Sequence, residues 1–153
     1  MYKRGVSVWI GYLMYLLFAL SVLSIVLYTV NNYIERNRVQ ITLQSLEDTI
    51  LMIDNQLSKI NKCFVCYKKI EISLPPETKL SLKDGEIYGT FISNVLYNYS
   101  SPYLMVNISR KGSFFVYDLY LKSQVKFRGN VTIYQKGCIY INKSIEGLSV
   151  SSC

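Results

Sequence analysis

The first apolar segment of the chain is long enough to cross a membrane. It runs from about Val6 to about Val30 with no ionisable group other than tyrosine. A bilayer core requires about 20 apolar residues of helix. Cleaved secretory signals have a shorter apolar region of about 7–15 residues, followed by a small-x-small site that is missing here. The pattern therefore predicts a permanent transmembrane helix over residues 6–30, preceded by a basic leader over residues 1–5.

A second apolar pattern follows, with the spacing of an amphipathic helix. Residues 31–62 contain no proline and no glycine. Apolar residues recur there in steps of four and three, at Val39, Leu43, Leu46, Ile50, Ile53, Leu57 and Ile60. This spacing predicts that the helix continues beyond the membrane with one apolar stripe, which Ile41, Leu51 and Met52 widen. The stripe must be covered by the downstream part of the chain, by neighbouring subunits, or by both.

After residue 62 the apolar spacing changes to the alternation that is typical of strands. The predicted strands are 66–73, 78–83, 86–93, 102–109, 113–123, 130–135 and 138–144. The second and third, fourth and fifth, and sixth and seventh are predicted to form hairpins, with turns at Asp84-Gly85, 110–112 and Lys136-Gly137. Asp118 belongs to the more polar face of its strand. We therefore expect an α+β fold, in which the long N-terminal helix packs against an antiparallel β-sheet domain over residues 63–153.

The positive net charge is not arranged as a nucleic-acid-binding surface. The chain carries a formal charge of +7, but beyond the apolar segment the only adjacent cations are Lys68-Lys69 and Arg110-Lys111. Nucleic-acid-binding proteins usually gather their cations on one face or along one helix. Scattered lysines on a strand-rich domain are more typical of a solvated surface that discourages edge pairing. No nucleic-acid partner is expected.

Few residues are suited to catalysis. The chain has no histidine, which excludes histidine-based acid–base chemistry, histidine metal ligation and serine–histidine triads. Glu47, Asp48 and Asp54 fall in the predicted helix, where we interpret them as a solvated face. No glycine-rich phosphate loop is present. The sequence predicts no catalytic residue, no metal site and no cofactor, and therefore not an enzyme.

The four cysteines leave three interpretations open. They are Cys63, Cys66, Cys138 and Cys153. The CFVC motif at residues 63–66 is compatible with a redox pair, but such a pair normally precedes a helix instead of following one. A zinc site usually needs two close pairs of ligands, and the last two cysteines are far apart in sequence. Structural disulfides are the expected state, one at the helix exit and one fixing the C-terminal tail, although spacing alone does not decide the pairing.

The domain after the helix has the composition of an extracellular domain. All the cysteines lie in it, as suits an oxidising compartment. Four N-x-S/T sequons also lie in it, at Asn98, Asn107, Asn130 and Asn142. The excess of cations before the helix over those after it is small, so it adds little to the orientation. We expect a single-pass membrane protein with a cytoplasmic N-terminus and an extracellular, glycosylated C-terminal domain.

The N-terminal residues resemble a known family. The stretch KRGVSVWIG, followed by a long apolar helix, is similar to the start of archaeal type IV pilins and archaellin-like proteins with a class III, prepilin-type signal sequence. Those proteins carry a short basic stretch, a small residue and a V-S-P-V-I-G segment. Val6, Ser7, Ile10 and Gly11 match that segment here. Val8 replaces the proline and Trp9 an aliphatic residue.

The resemblance implies how this chain would be processed and used. A prepilin-peptidase-like protease would recognise Lys3, Arg4 and Gly5 and cut before Val6. The apolar helix would anchor the subunit in the membrane and then pack against copies of itself or related subunits in a type IV pilus-like surface filament. One alternative is a membrane-tethered extracellular β-domain that binds an envelope layer or archaellum-type machinery. A tethered thiol–disulfide oxidoreductase using the CFVC motif is the enzymatic alternative.

Overall fold

The computed structural model describes the backbone from Lys3 to Cys153 and the side chains from Val8 onward. One helix, α1 (Lys3–Asn61), precedes all the strands. The strands are β1 (Cys66–Ser73), β2 (Thr78–Lys83), β3 (Glu86–Ser93), β4 (Met105–Lys111), β5 (Phe114–Lys122), β6 (Phe127–Arg128), β7 (Asn130–Tyr134), β8 (Lys136–Ser144) and β9 (Gly147–Ser152). The predicted α+β fold class is confirmed. The chain forms two compact units, one ending at Asn37 and the other covering Arg38–Cys153.

The strands form two sheets instead of the single sheet that the sequence predicts. The larger sheet has the order β4-β5-β3-β2-β7, and all of its neighbours are antiparallel. The smaller sheet has the order β1-β8-β9-β6, in which β6 and β9 are parallel. The short strand β6 and the C-terminal strand β9 were not among the predicted strands.

Two of the three predicted hairpins are confirmed. In the β2–β3 hairpin, Lys83 pairs with Glu86 across a two-residue turn. Asp84 and Gly85 have φ values of 43° and 91° in that turn. Positive φ at both central residues matches the right-handed twist of the flanking strands, and aspartate and glycine tolerate it better than most residues. The β4–β5 hairpin turns at residues 112–113 and not at the predicted 110–112, because Arg110 and Lys111 still pair with β5.

The third predicted hairpin is wrong. Strand β7 pairs with β2 in the larger sheet, whereas β8 pairs with β1 and β9 in the smaller one. Lys136 and Gly137, predicted to form the turn, are the first residues of β8. The chain changes sheets at Gln135, which has a φ of 58°. An added Cβ at Gly137 would lie 2.8 Å from Cγ2 of Ile133, so glycine allows the two strands to approach closely at this corner.

The core of the second unit is built around the apolar stripe of α1. All seven predicted stripe residues are buried, and they belong to one cluster with side chains from both sheets. The helix and β3 approach each other closely at Gly89, where an added Cβ would lie 2.9 Å from Cδ1 of Ile50 and 3.0 Å from Cγ of Leu46. The missing side chain at Gly89 therefore creates the space into which two helix side chains pack.

Glu47 is buried, which corrects the prediction that it belongs to a solvated face. Its side chain is 9% exposed and accepts hydrogen bonds from the Tyr99 hydroxyl and from Oγ of Ser101, the latter at 2.7 Å. Two neutral donors offset much of the cost of removing a carboxylate from water. Asp48 is exposed as predicted, and half-buried Asp54 accepts a 2.5 Å hydrogen bond from Ser123.

The donors to Glu47 lie in the 94–104 connection between β3 and β4. Tyr117 holds the start of this connection, because its hydroxyl donates to the carbonyl of Val95 at 3.1 Å and accepts from the amide of Tyr97 at 2.7 Å. Ser101 also accepts from the amide of Leu104 at 3.0 Å. A long connection without regular structure is thus fixed to both the helix and the sheet.

The close contact at Gly89 predicts a specific coupling in stability. We expect Gly89→Ala to lower the free energy of unfolding of the detergent-solubilised chain by about 1–3 kcal/mol, because the new methyl group overlaps Leu46 and Ile50. Combining it with Leu46→Ala should cost less than the sum of the two single changes. Ile60→Ala is the matched control, since this stripe residue lies about 15 Å along the helix from Ile50. Coupling equal to that of the control would contradict the contact.

The hydrogen bond to Glu47 predicts how stability depends on Tyr99. Tyr99→Phe should cost about 1–3 kcal/mol in chemical unfolding, because it leaves a buried carboxylate with one donor fewer. Tyr103→Phe, at an exposed tyrosine in the same connection, should change stability by less than about 0.5 kcal/mol. Equal effects of the two changes would show that the Tyr99 hydroxyl does not stabilise the fold.

The same tyrosine predicts an alkaline dependence of stability. Burial, and next the hydrogen bond to Glu47, raise the pKa of Tyr99. An unfolded tyrosine titrates near pH 10, so this contribution to stability is complete below about pH 10 and is lost as the pH rises towards the raised value. The free energy of unfolding should therefore fall less steeply above about pH 10 in Tyr99→Phe than in Tyr103→Phe. Parallel curves would contradict this assignment.

Candidate functional site: the exposed apolar helix surface

The N-terminal part of α1 exposes apolar side chains all around the helix. Every residue from Val8 to Val30 is exposed, and the most apolar window of the helix is 0% buried within the chain. These 23 residues extend about 35 Å, compared with about 30 Å for the hydrocarbon core of a bilayer. In the described residues, this is the one helix long and apolar enough to cross a membrane. A helix that is apolar on every side requires a surrounding of lipid or protein.

The few polar side chains within this surface bond to the helix itself. The hydroxyls of Ser21, Ser24 and Thr29 donate to the carbonyls four residues earlier, at 2.8, 2.9 and 2.8 Å. A hydroxyl without a partner is costly in hydrocarbon, and this local bond removes that cost. The exposed surface therefore presents no unpaired hydroxyl from these three residues.

Aromatic side chains occur near both ends of the apolar segment. Trp9 and Tyr12 are exposed near its start, and Tyr28 and Tyr33 near its end. Rings of this kind favour the level of the lipid head groups, where one edge is apolar and the other is wet. Their positions suit a span that ends at about residue 30.

The stripe residues have a different environment from the apolar segment. The seven stripe side chains between Val39 and Ile60 are covered by the domain of the same chain. Of the three residues that widen the stripe, Leu51 packs partly against the core, whereas Ile41 and Met52 remain exposed. The local cover anticipated from the sequence therefore accounts for the stripe, and two isolated apolar side chains remain on the outer side of the helix.

The structure pairs the cysteines as Cys63–Cys66 and Cys138–Cys153, with Cα–Cα distances of 5.9 and 5.5 Å. Both distances are ordinary for a disulfide. The first bridge lies between the end of α1 and the start of β1. The second joins β8 to the C-terminal residue, whose amide also donates to the carbonyl of Cys138 at 3.2 Å. Both bridges fix chain segments next to the smaller sheet.

All four sequon asparagines are exposed. Asn98 lies in the β3–β4 connection, and Asn107, Asn130 and Asn142 lie in β4, β7 and β8. The fold therefore leaves each of them accessible to a modifying enzyme. The side chains of the predicted processing residues Lys3, Arg4, Gly5 and Val6 lie outside the described residues.

An ordered group that was not anticipated lies on the outer face of the larger sheet. The hydroxyls of Tyr88 and Tyr120 both donate to the carboxylate of Glu86, and the two rings pack at a tilt of 40° with centroids 5.0 Å apart. The hydrogen bond from Tyr88, then that from Tyr120, lowers the pKa of Glu86. The hydrogen bond to Glu86 raises the pKa of Tyr88 to about 12. Alternation in the sequence could place both tyrosines on outward positions of their strands, but their pairing follows from the β3–β5 register.

This group has the properties of a cross-strand support. Near neutral pH the carboxylate is ionised and both phenols are neutral, so none of the three side chains is suited to act as a general acid or base. Residues 8–153 contain no cluster of three or more histidine, cysteine, aspartate or glutamate side chains placed to hold a metal ion. The strongest functional feature among the described residues is thus the exposed apolar helix surface.

The exposed apolar surface predicts how charged substitutions affect membrane insertion. Leu17→Arg combined with Leu20→Arg should shift the chain out of the carbonate-resistant membrane fraction, because each arginine near the centre of a span costs about 2.5–3.5 kcal/mol. Ile41→Arg combined with Met52→Arg is the matched control, since both residues are exposed on the same helix outside the apolar segment. Equal membrane fractions for the two double variants would contradict a span at this place.

No protein-family model, no curated protein and no solved structure significantly matches this chain.

Proposed function

We propose that the chain is a pilin-like structural subunit of a type IV pilus-like surface filament. The observation that supports this most strongly is the contrast between the two parts of α1. The stripe from Val39 to Ile60 is already covered within the subunit, whereas the surface from Val8 to Val30 has no cover. A subunit of this kind is complete outside the membrane and requires a partner only for its apolar segment.

Lipid and neighbouring helices can cover that segment in turn. Before assembly, the bilayer surrounds the helix. Helices in lipid associate through close packing, which small residues favour. An added Cβ at Gly11 meets no atom of the chain within 4 Å, so the glycine is not required by packing inside the subunit. Gly11 is also one of the residues that match the prepilin-type segment, together with Val6, Ser7 and Ile10.

The proposal includes an orientation and a processing step. The leader is cytoplasmic and is cut between Gly5 and Val6 by a prepilin-peptidase-like membrane protease. The disulfide-containing domain is extracellular and carries glycans on some of the exposed sequons. Two disulfides next to the smaller sheet suit an oxidising compartment.

The intact mass of the protein purified from its native membranes tests the proposal. We expect a mass that lacks residues 1–5, and we expect the same chain in sheared surface filaments. Gly5→Leu should retain the full N-terminus and should stay in the membrane fraction. A chain that keeps Met1 and never enters filaments would contradict the filament function.

A membrane-tethered extracellular domain is the second candidate. It is favoured by one observation: the second unit buries its helical stripe without any neighbouring subunit. Such a protein would bind an envelope layer or archaellum-type machinery and would keep its leader. An unprocessed chain that co-purifies with an envelope component would support this candidate over the filament subunit.

A further inference from the structure

Two exposed apolar side chains protrude from the second unit. Phe64 and Ile145 are 86% and 88% exposed, more than any other large hydrophobic side chain that the structure describes. Val65, next to Phe64, is also exposed. Single exposed apolar residues are normal on a protein surface, but several together usually have a function.

The strand register brings these residues to one end of the smaller sheet. Cys66, the first residue of β1, pairs with Lys143 of β8. Phe64 and Ile145 each lie two residues beyond this pair, in a bend and in a turn, so both are at this end of the sheet. We call Phe64, Val65 and Ile145 the apolar tip. It combines segments about 80 residues apart in sequence, so it results from the fold and not from one apolar stretch.

Both segments of the tip are fixed, one by a disulfide and a backbone hydrogen bond and the other by strand pairing. The Cys63–Cys66 disulfide encloses Phe64 and Val65, and the amide of Cys63 donates to the carbonyl of Ile60 at 3.0 Å. Ile145 lies in the two-residue turn between β8 and β9, where Ser144 pairs with Gly147. A surface that is already ordered loses little conformational entropy when it binds.

Several lysines lie at the same end of the smaller sheet as the tip. Lys62 is exposed beside Cys63, and Lys68 and Lys143 donate hydrogen bonds to the neutral side chains of Gln56 and Asn61 at 2.7 and 3.1 Å. Their charges are therefore not neutralised by those partners, and Glu146 supplies a carboxylate in the adjacent turn. Lys69, further along β1, is paired with Glu71 at 3.0 Å. The three lysines leave the end of the sheet with a net positive charge.

We propose that the apolar tip inserts into the head-group region of an anionic lipid bilayer. Its side chains are highly exposed, as suits side chains that enter a lipid interface. Lysines around protruding apolar side chains can keep their ammonium groups at the level of lipid phosphates. This lipid contact is separate from the transmembrane segment and goes beyond the proposed filament function.

Flotation of the full chain with a second lipid surface tests the proposal. The chain is held in nanodiscs of neutral phosphatidylcholine and mixed with vesicles that contain phosphatidylglycerol. We expect co-flotation with these vesicles, weaker binding to vesicles of phosphatidylcholine alone, and a decrease in binding as salt is added. Phe64→Ser combined with Ile145→Ser should reduce binding at least about tenfold, as expected when two side chains of this size no longer insert.

A matched control separates the tip from general apolar exposure. Ile41→Ser combined with Met52→Ser removes two exposed apolar side chains from the helix and should leave flotation unchanged. Lys62→Gln combined with Lys143→Gln should remove most of the preference for anionic vesicles. Equal flotation of the tip variant and the unsubstituted chain, or no flotation of either, would overturn the proposal. Neither result would alter the N-terminal mass that tests the filament function.

Discussion

The structure of the second unit depends on burial of the helical stripe between Val39 and Ile60. The strands supply apolar side chains on their inner faces, but a sheet needs another layer to bury such a face. The helix supplies that layer and approaches β3 closely at Gly89, where strand backbone faces Leu46 and Ile50. Without the packing of the stripe against the sheets, the stripe and both inner sheet faces would be exposed. The helix and the sheets therefore stabilise each other.

The surface of α1 changes along its length and suits two different surroundings. From Val8 to Val30 its apolar surface is uncovered and its hydroxyls bond to their own backbone, which suits lipid. From Val39 onward, polar residues separate the apolar ones, which suits water on one side and a core on the other. The helix itself does not break between these two parts, because α1 continues without interruption to Asn61. Only the pattern of apolar and polar residues changes.

Local sequence patterns predicted what depends on local geometry. The steps of four and three in α1 and the Asp84-Gly85 turn need only neighbouring residues, and both occur as expected. The pairing of β7 and β8 could not be predicted in this way. Each strand alternates correctly, but the positive φ at Gln135 sends β8 to the other sheet. Alternation defines the face of a strand and leaves its partner undetermined, so the candidate tip at Phe64 and Ile145 also required the structure.

Glu47 shows why a helical pattern alone cannot distinguish a solvated residue from a buried polar one. It lies beside the stripe, next to Leu46, where a carboxylate would ordinarily face water. The 94–104 connection covers it and provides two hydroxyl donors, from Tyr99 and Ser101. The described residues leave no buried side-chain polar atom without a partner. An apolar residue at position 47 would pack against this connection without selecting its conformation, whereas a carboxylate requires the two hydroxyls at defined positions. The charged residue therefore orders a long irregular segment that hydrophobic contacts alone would leave less defined.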